Sequence, residues 1–430
     1  MKKSLLAVAA MGAFASAAQA QSSVTVYGIL DVGYVGTNER VSSNALVPTT
    51  GGNYKKTTNS FGGVGAESTS RLGFKGTEDL GGGMSAFFTA EFALFPQDQT
   101  LSGNSTVGNN STAAGLQNRQ AFVGLKKNGL GSAALGTQYT PVFNANAATN
   151  PNGSNNLLGD LVYQGTTLAG SKDINNGSNS ASFTNRASNS LTIQSDKFAG
   201  FSVNALYTLN NKNETAVTGT GASAGQVTFG GNTNASGWGL GADFTYNKFY
   251  VAAAYQALKQ LTAAGGFTYA NNTQATPSVA WTAQQANGAT ASPATSANAV
   301  DVQDNQFLAG ATYDFGILKA YAQYVNRKAT STITSNYYVK RSAEQIGVRS
   351  YITPTIEAWA SGSLGRYSAM GVNQPTANMN AWQLGSNYYL SKRTNLYAIY
   401  GQQIVSTSAV GTVSGSAGGS NYAVGIRHTF

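Results

Sequence analysis

The sequence predicts an all-β protein, a 16-stranded antiparallel transmembrane β-barrel with long extracellular loops and short periplasmic turns. Charged residues make up only 10% of the chain, against about 25% in average soluble domains. Glycine is abundant at 51 residues, and Tyr and Phe together total 41. Many segments alternate apolar with polar residues over about ten positions, which is the length that a tilted strand needs to cross a bilayer.

The first twenty residues have the features of a secretory signal peptide. Lys2 and Lys3 precede an apolar run over 5–15, and a small-x-small site ends at Ala20. Such a leader is removed during export. The run is too short and too rich in alanine for a lasting membrane span, which disfavours an anchor helix. We therefore predict a signal peptide at 1–20 and a barrel domain at 21–430.

Sixteen segments of the mature chain have the period-two alternation of a strand. The predicted strands are 23–35, 65–77, 83–94, 118–127, 131–139, 186–196, 200–210, 236–246, 248–258, 304–315, 317–327, 341–352, 355–366, 381–390, 393–402 and 420–430.

The connections between these strands alternate between short turns and long polar segments. Seven are short, such as "EDLGGG" at 78–83 and "NK" at 247–248, and eight are long and rich in Asn, Ser, Thr and Gly. This asymmetry is typical of periplasmic turns and extracellular loops. An even strand number lets the last strand pair with the first, so that the sheet has no edge.

The two faces of a strand can be assigned in "GWGLGADFTY". Trp238 and Leu240 alternate with Gly239 and Gly241, so we expect the large residues to face lipid and the small ones the lumen. Small and polar inward residues indicate a wet interior, because a packed barrel holds branched apolar residues there. A secreted β-sandwich would also alternate, but its strands average about five or six residues.

Enzymes, metal sites and nucleic-acid binding are disfavoured by composition. The chain has no Cys, and His428 is its only His, so it offers neither a Ser-His-Asp site nor a His- or Cys-based metal site. Without Lys2 and Lys3, 24 Lys and Arg residues stand against 17 Asp and Glu, with no basic run longer than two. A nucleic-acid surface would cluster them. We expect no catalytic residues, no cofactor and no metal.

Four basic residues are candidates for the pore wall. Arg71 and Lys75 share the inward face of the second predicted strand, while Arg119 and Arg186 open the fourth and the sixth. An arginine on a lumen wall is costly unless water or carboxylates surround it. The pattern indicates a wet channel with a locally positive wall. The alternative is that Arg119 and Arg186 only solvate the barrel mouth.

The third long loop, 140–185, differs from the other loops in holding apolar residues around Asp160. A loop with apolar side chains to bury is expected to fold inward against the wall, although an exposed loop with a small local cluster is a serious alternative. The apolar residues are Leu157, Leu158, Leu161, Val162 and Tyr163.

The closing segment "SNYAVGIRHTF" alternates strictly up to the terminal aromatic residue. As in "GWGLGADFTY", the residues of the more apolar face are expected to point outward to lipid. This set comprises Tyr422, Val424, Ile426, His428 and Phe430.

Several motifs resemble the Gram-negative trimeric general porins, in the branch that ends in Arg-His-x-Phe. They are "SSVTVYGILDVGY", "SRLGFKGTEDLGGG", "NRQAFVGL", "LGTQYTP", "RASNSLTIQSDKFAGFSVNALY" and "NYAVGIRHTF", in register along the whole mature chain.

The resemblance implies a homotrimer in the cell outer membrane whose third loop forms a constriction. Arg71, Arg119 and Arg186 match wall arginines that face acidic loop residues in this family, and Phe430 matches the position read by the outer-membrane assembly machinery. The implied partners are outer-membrane lipid, lipopolysaccharide, that machinery, and small hydrophilic solutes including anions.

Departures from the family pattern weaken the acidic side of the constriction. Many relatives have Arg where Thr137 stands, and the third loop lacks a Pro-Glu-Phe-Gly-Gly motif, offering only Asp160 and Asp173, with Lys172 beside the latter. A net positive constriction follows, and with it a passive channel that prefers anions.

Two alternative functions stay open. They are a substrate-specific channel, and a surface adhesin or receptor that acts through the long loops. The inward aromatics disfavour the specific channel because they are scattered, at Tyr27, Tyr250, Tyr321, Trp359 and Tyr389.

Overall fold

A computed structural model describes most of the strand-forming part of the chain. The described residues are 23–43, 52–62, 65–96, 116–164, 182–220, 226–264, 302–331, 338–370, 377–410 and 413–430. The predicted signal peptide at 1–20 lies outside them and stays a prediction.

The described residues form seventeen β-strands and one helix. They are β1 Ser23–Ser43, β2 Gly52–Gly62, β3 Arg71–Gly81, β4 Met84–Ala93, β5 Gln117–Lys127, β6 Gly131–Tyr139, α1 Pro141–Thr149, β7 Arg186–Ser195, β8 Phe201–Thr220, β9 Gln226–Tyr246, β10 Phe249–Ala264, β11 Val302–Asp314, β12 Lys319–Ser331, β13 Tyr338–Thr353, β14 Ile356–Met370, β15 Ala377–Tyr389, β16 Thr394–Val410 and β17 Val413–Thr429.

The strands close into the predicted 16-stranded antiparallel barrel. From β3 onward each strand pairs with the next, and β17 returns to β1, with Tyr34 opposite Val424. Beyond β17, the N–H groups of Gly28 and Phe430 each donate to the other residue's carbonyl at 3.1 Å. Closure pairs the backbone of the last strand with that of the first, which a hydrocarbon environment requires.

Seventeen strands fill sixteen positions because β2 and β3 share one. β2 pairs with residues 33–43 of β1, and β3 pairs with residues 23–29. Between them the chain leaves the ladder: Asp31 accepts a hydrogen bond from the Ser68 N–H at 2.6 Å and donates its own N–H to Ser70 Oγ at 2.9 Å. The prediction of one strand over 65–77 was therefore wrong, since it began too early and missed β2.

Several strands run further from the short turns than predicted. β8 continues to Thr220, and only residues 411–412 separate β16 from β17. The expectation of long loops at these two places was wrong. Backbone ladders continue in water whatever the side chains are, so a polar segment without apolar alternation can still be a strand. The seven short connections, of two to five residues, fall where the sequence predicts them.

The outer and inner faces alternate as predicted. Trp238 and Leu240 are 46% and 56% exposed, whereas Gly239 and Gly241, which alternate with them along β9, are buried. Within the described ranges, no helix is long and apolar enough to cross a membrane.

The outward position of Leu240 gives a direct test of the face assignment. Leu240→Arg is expected to destabilise the barrel by about 2–4 kcal/mol, because a lipid-facing charge far from the interfaces loses its hydration. Thr77→Arg is the control, at an exposed position on the face of β3 that includes Lys75. Urea unfolding in lipid vesicles measures both, and equal losses of stability would contradict the assignment.

Candidate functional site

Helix α1 begins the segment that follows β6, and it packs against the wall of β8 to β12. Thr140 caps the helix by accepting a hydrogen bond from the Phe143 N–H at 3.2 Å, and Pro141 occupies the first turn. Gly239 and Gly241 lie beneath Pro141, so a Cβ at either glycine would come within 3.3 Å of its ring. These glycines face away from the lipid-facing residues of β9, which places α1 on the inner face.

The rest of the described loop continues along the inner wall, and its apolar residues form the main core of the protein. Leu158, Leu161 and Val162 are at most 1% exposed and share a cluster with wall residues of β10 to β13 and β15 to β17. Leu157 packs in a second cluster beside Trp359 and Tyr397. Among the wall residues of the first cluster are Ala252, Leu308, Val325, Ala343, Met379, Val405 and Ala417.

Inward amides and hydroxyls of successive strands bind the loop backbone and side chains. Gln383 accepts a hydrogen bond from Asn155 at 2.6 Å and donates to the Leu158 carbonyl at 2.8 Å. Ser363 accepts from the Leu161 N–H at 3.2 Å, and Asn421 accepts from the Leu158 N–H at 3.1 Å. Sequence reasoning missed these partners, although inward Gln and Asn in consecutive strands is the pattern that would have indicated them.

Asp160 lies inside the loop and does not face the basic wall. Its carboxylate accepts hydrogen bonds from Asn150 Nδ2 at 2.8 Å and from the N–H groups of Val162 and Tyr163 at 2.9 and 2.7 Å. Burial raises the pKa of this carboxyl, and these hydrogen bonds oppose the rise. Asp160 therefore shapes the loop. Asp173 and Lys172 lie outside the described residues.

The structure brings Arg71, Arg119 and Arg186 together near Glu91, a carboxylate of β4 that sequence reasoning missed. Lys75 lies beside this cluster, over the ring of Tyr27. Arg119 Nε donates to Glu91 Oε1 at 2.8 Å, and its Nη2 donates to the Tyr139 hydroxyl at 3.0 Å. The charges of Arg71 and Arg186 both interact with those of Arg119 and Glu91.

Aromatic rings complete the surroundings of the cluster. The Arg186 guanidinium lies 5.8 Å from the Tyr139 ring centroid, and Lys75 Nζ lies 5.3 Å from that of Tyr27. The Tyr27 hydroxyl donates to Glu91 at 3.2 Å. Each ring therefore offers its face to one cation and hydrogen-bonds within the same cluster.

A β-bulge explains how Arg119 reaches Glu91. Glu91 pairs with Gln120, but the next residue of β4, Phe92, pairs with Asn118, so Arg119 is the extra residue. A bulge re-aims a side chain that strict alternation would direct outward. Arg119 and Arg186 are only 7% and 5% exposed, whereas Arg71 is half-buried and Lys75 is exposed.

A second polar network joins the chain before β3 to the wall of β13 to β17. Glu67 accepts hydrogen bonds from Arg427, Asn387 and Asn395, each at 2.9 Å. Glu357 pairs with Arg349 at 3.0 Å. The prediction that placed Glu67 in one strand with Arg71 was wrong, because Glu67 precedes the strand. Here acids and arginines neutralise each other, in contrast to the basic cluster.

The terminal strand has the predicted alternation. Val424, Ile426 and Phe430 are 53%, 40% and 41% exposed on the outer face, with Tyr422 at 39%. His428 is also exposed, and its Nδ1 lies 2.9 Å from the Thr394 hydroxyl. The Phe430 ring lies over Gly28, where a Cβ would collide with it.

The chain matches one family model and several known proteins. A model described as Gram-negative porin matches residues 7–408. An outer membrane porin protein of Bordetella pertussis is 29% identical over 453 residues, and outer membrane porin protein 32 of Delftia acidovorans is 26% identical over 447, each over all of both chains.

Solved structures share the fold. An anion-selective porin from Comamonas acidovorans aligns with a TM-score of 0.57 at 20% identity, over 95% of this chain and all of that one. A trimer form of OmpT from Vibrio cholerae aligns with a TM-score of 0.51 at 14% identity, over 94% and 99%. The closed barrel and the family match agree, and the chain belongs to the Gram-negative porin family as a diffusion channel of the outer membrane.

Proposed function

We propose that the protein is a passive, water-filled channel for small hydrophilic solutes, with a preference for anions and no catalytic activity. The observation that supports this most is the cluster of Arg71, Arg119 and Arg186 near one carboxylate, Glu91, with Lys75 beside it over the Tyr27 ring. Such an excess of positive charge attracts anions and repels cations. Arg71 and Lys75 would meet the ions directly, and the two buried arginines would act through their field.

The loop at 140–185 is proposed as the constriction. Residues 140–164 lie along the inner wall, and their one carboxylate, Asp160, is satisfied within the loop. The described part of the loop thus adds no free acid opposite the arginines. The structurally similar porin of Comamonas acidovorans is described as anion-selective, which agrees with this arrangement.

Further proposals concern maturation and assembly. Residues 1–20 would be cleaved as a signal peptide, and three copies would form a homotrimer, as in the trimer form of the Vibrio cholerae protein. The outward aromatic and aliphatic residues of β17 would be read by the outer-membrane assembly machinery. Outer-membrane lipid and lipopolysaccharide would then surround the barrel.

Planar-bilayer recording under a KCl gradient tests the function. We expect ohmic conductance and a reversal potential on the anion-preferring side. Two unit charges about 8 Å apart interact by about 0.5 kcal/mol in water and about 2 kcal/mol at an effective dielectric near 20. Because 1.4 kcal/mol is about tenfold, a preference of a few-fold to tens-fold is expected. A cation-preferring reversal potential would contradict the proposal.

Removing the carboxylate of the cluster should strengthen the preference. Glu91→Gln leaves Arg119 without its ion-pair partner, so we expect a larger anion-side reversal potential and a loss of about 3 kcal/mol in stability. Glu78→Gln, at an exposed position near the β3–β4 turn, is the matched control. An unchanged reversal potential in Glu91→Gln would show that the cluster does not influence permeating ions.

A further inference from the structure

The proposed constriction loop carries a row of aromatic rings close to the points where it leaves and rejoins the wall. Tyr139 and Phe143 stack with their ring centroids 4.4 Å apart, and the Tyr163 centroid lies 6.3 Å from that of Phe143. The Phe183 centroid lies 6.0 Å from that of Tyr163. Tyr139 pairs with Arg186 across β6 and β7, so this aromatic row lies at the base of the loop, beside the basic cluster.

Part of the aromatic row faces the lumen. On α1, Val142 and Thr149 are fully buried against the wall, whereas Phe143 is half-buried and Asn144 is exposed. Tyr163, further along the loop, is also half-buried. Because the loop lies on the inner face of the barrel, the exposed parts of these two rings are accessible to solutes that pass along the loop.

The arginines of the basic cluster adjoin the same rings. Arg119 Nη2 donates to the Tyr139 hydroxyl at 3.0 Å, and the Arg186 guanidinium lies 5.8 Å from the centroid of that ring. The charges of all three arginines interact with the Tyr163 hydroxyl. Arg71 is half-buried and forms no ion pair within the described ranges. A partly accessible guanidinium and two partly accessible rings therefore occur side by side.

We propose that the aromatic row and the basic cluster together form a binding site for small aromatic carboxylates, an inference that rests on the proposed anion-preferring channel. The Arg71 guanidinium would donate to the carboxylate, since its planar fork matches carboxylate geometry. The arene would pack on the exposed parts of Phe143 and Tyr163, because aromatic pairs gain offset and edge-to-face contacts beyond the burial of apolar area. The arginines attract every anion, so the rings would discriminate between anions of equal charge.

Block of the KCl current in planar bilayers tests the site in the unmodified protein. Benzoate and cyclohexanecarboxylate are monoanions of similar size at neutral pH, and only benzoate is planar and aromatic. Benzoate should halve the current at a concentration about two- to tenfold lower than cyclohexanecarboxylate does. Equal half-blocking concentrations, or no block by either acid, would overturn the inference. The reversal potential in KCl alone tests the anion preference separately, so the two proposals can fail independently.

Replacing the rings should remove this discrimination. Phe143→Leu combined with Tyr163→Leu keeps apolar side chains against the core, and it should raise the half-blocking concentration of benzoate to near that of cyclohexanecarboxylate. Phe143→Tyr keeps a ring at that position and should retain the preference for benzoate. Tyr250→Leu is the matched control, because Tyr250 is a half-buried aromatic residue of β10 that packs against the same core. It should also retain the preference.

Replacing the cation should act on both acids. Arg71→Gln is expected to raise the two half-blocking concentrations by a similar factor of about ten, because a charge-assisted hydrogen bond is lost whatever the rest of the solute is. Heat-modifiability of each variant shows that the barrel has folded. A full preference for benzoate in the folded double-ring variant would overturn the proposal, as would unchanged block in Arg71→Gln.

Discussion

Deletion of Phe430 is expected to abolish stable assembly in the outer membrane, the largest effect of any single change considered for this chain. The residue closes the barrel through two backbone hydrogen bonds with Gly28, and its ring packs over that glycine on the outer face. Loss of a packed Phe side chain costs about 1.5–3 kcal/mol. The terminal aromatic is also the position that the assembly machinery is proposed to read. Heat-modifiable protein in outer-membrane fractions measures the effect.

Gly28→Val separates the two contributions. It leaves the terminal Phe430 in place, but the added side chain occupies the space over residue 28 in which the Phe430 ring packs. The protein should therefore reach the membrane with a lower unfolding temperature. Thr429→Ser, next to the terminal residue, is the control and should assemble normally. Normal levels of heat-modifiable protein after Phe430 deletion would refute the assembly role.

Replacing Arg71, Arg119 and Arg186 together by Gln should move the reversal potential toward cation preference without abolishing conductance. Lys75 and Glu91 would remain and balance each other, so the cluster would lose its excess of positive charge. Each arginine is expected to contribute about 0.5–2 kcal/mol at distances near 8 Å. High salt should erode the difference between variant and unmodified protein, because the Debye length falls to about 3 Å at 1 M.

A milder variant tests the same prediction without disturbing the buried ion pair, in case the triple variant misfolds. Arg71→Gln with Lys75→Gln changes only the two less buried cations, neither of which forms the Glu91 ion pair, and should shift the reversal potential in the same direction by a smaller amount. The control combines Lys248→Gln, Lys392→Gln and Arg393→Gln, which make the same charge change as the triple variant at exposed residues of the short turns. It should keep the unmodified reversal potential. If the triple variant kept the unmodified reversal potential in dilute salt, these arginines would not govern permeation.

Much of the barrel could be predicted from the sequence because its pattern is local. Lipid on one side and water on the other impose a period of two, so Trp238, Leu240 and the outward set of β17 could be assigned without coordinates. Seven short turns join the strands in pairs, and they indicated the strand order. The prediction failed where the ladder extends into water, as in β8, because a polar strand has no apolar alternation to reveal it.

The site depended on contacts that no local pattern encodes. Sequence alone selected Arg71, Lys75, Arg119 and Arg186 as candidates for the pore wall, but only the tertiary structure showed that Glu91 lies near them and that Asp160 turns into its own loop. A single bulge re-aims Arg119, and amides from distant strands fix the path of the loop. Alternation specifies which face a residue occupies, whereas register and loop packing, which join residues hundreds of positions apart, decide which charges meet.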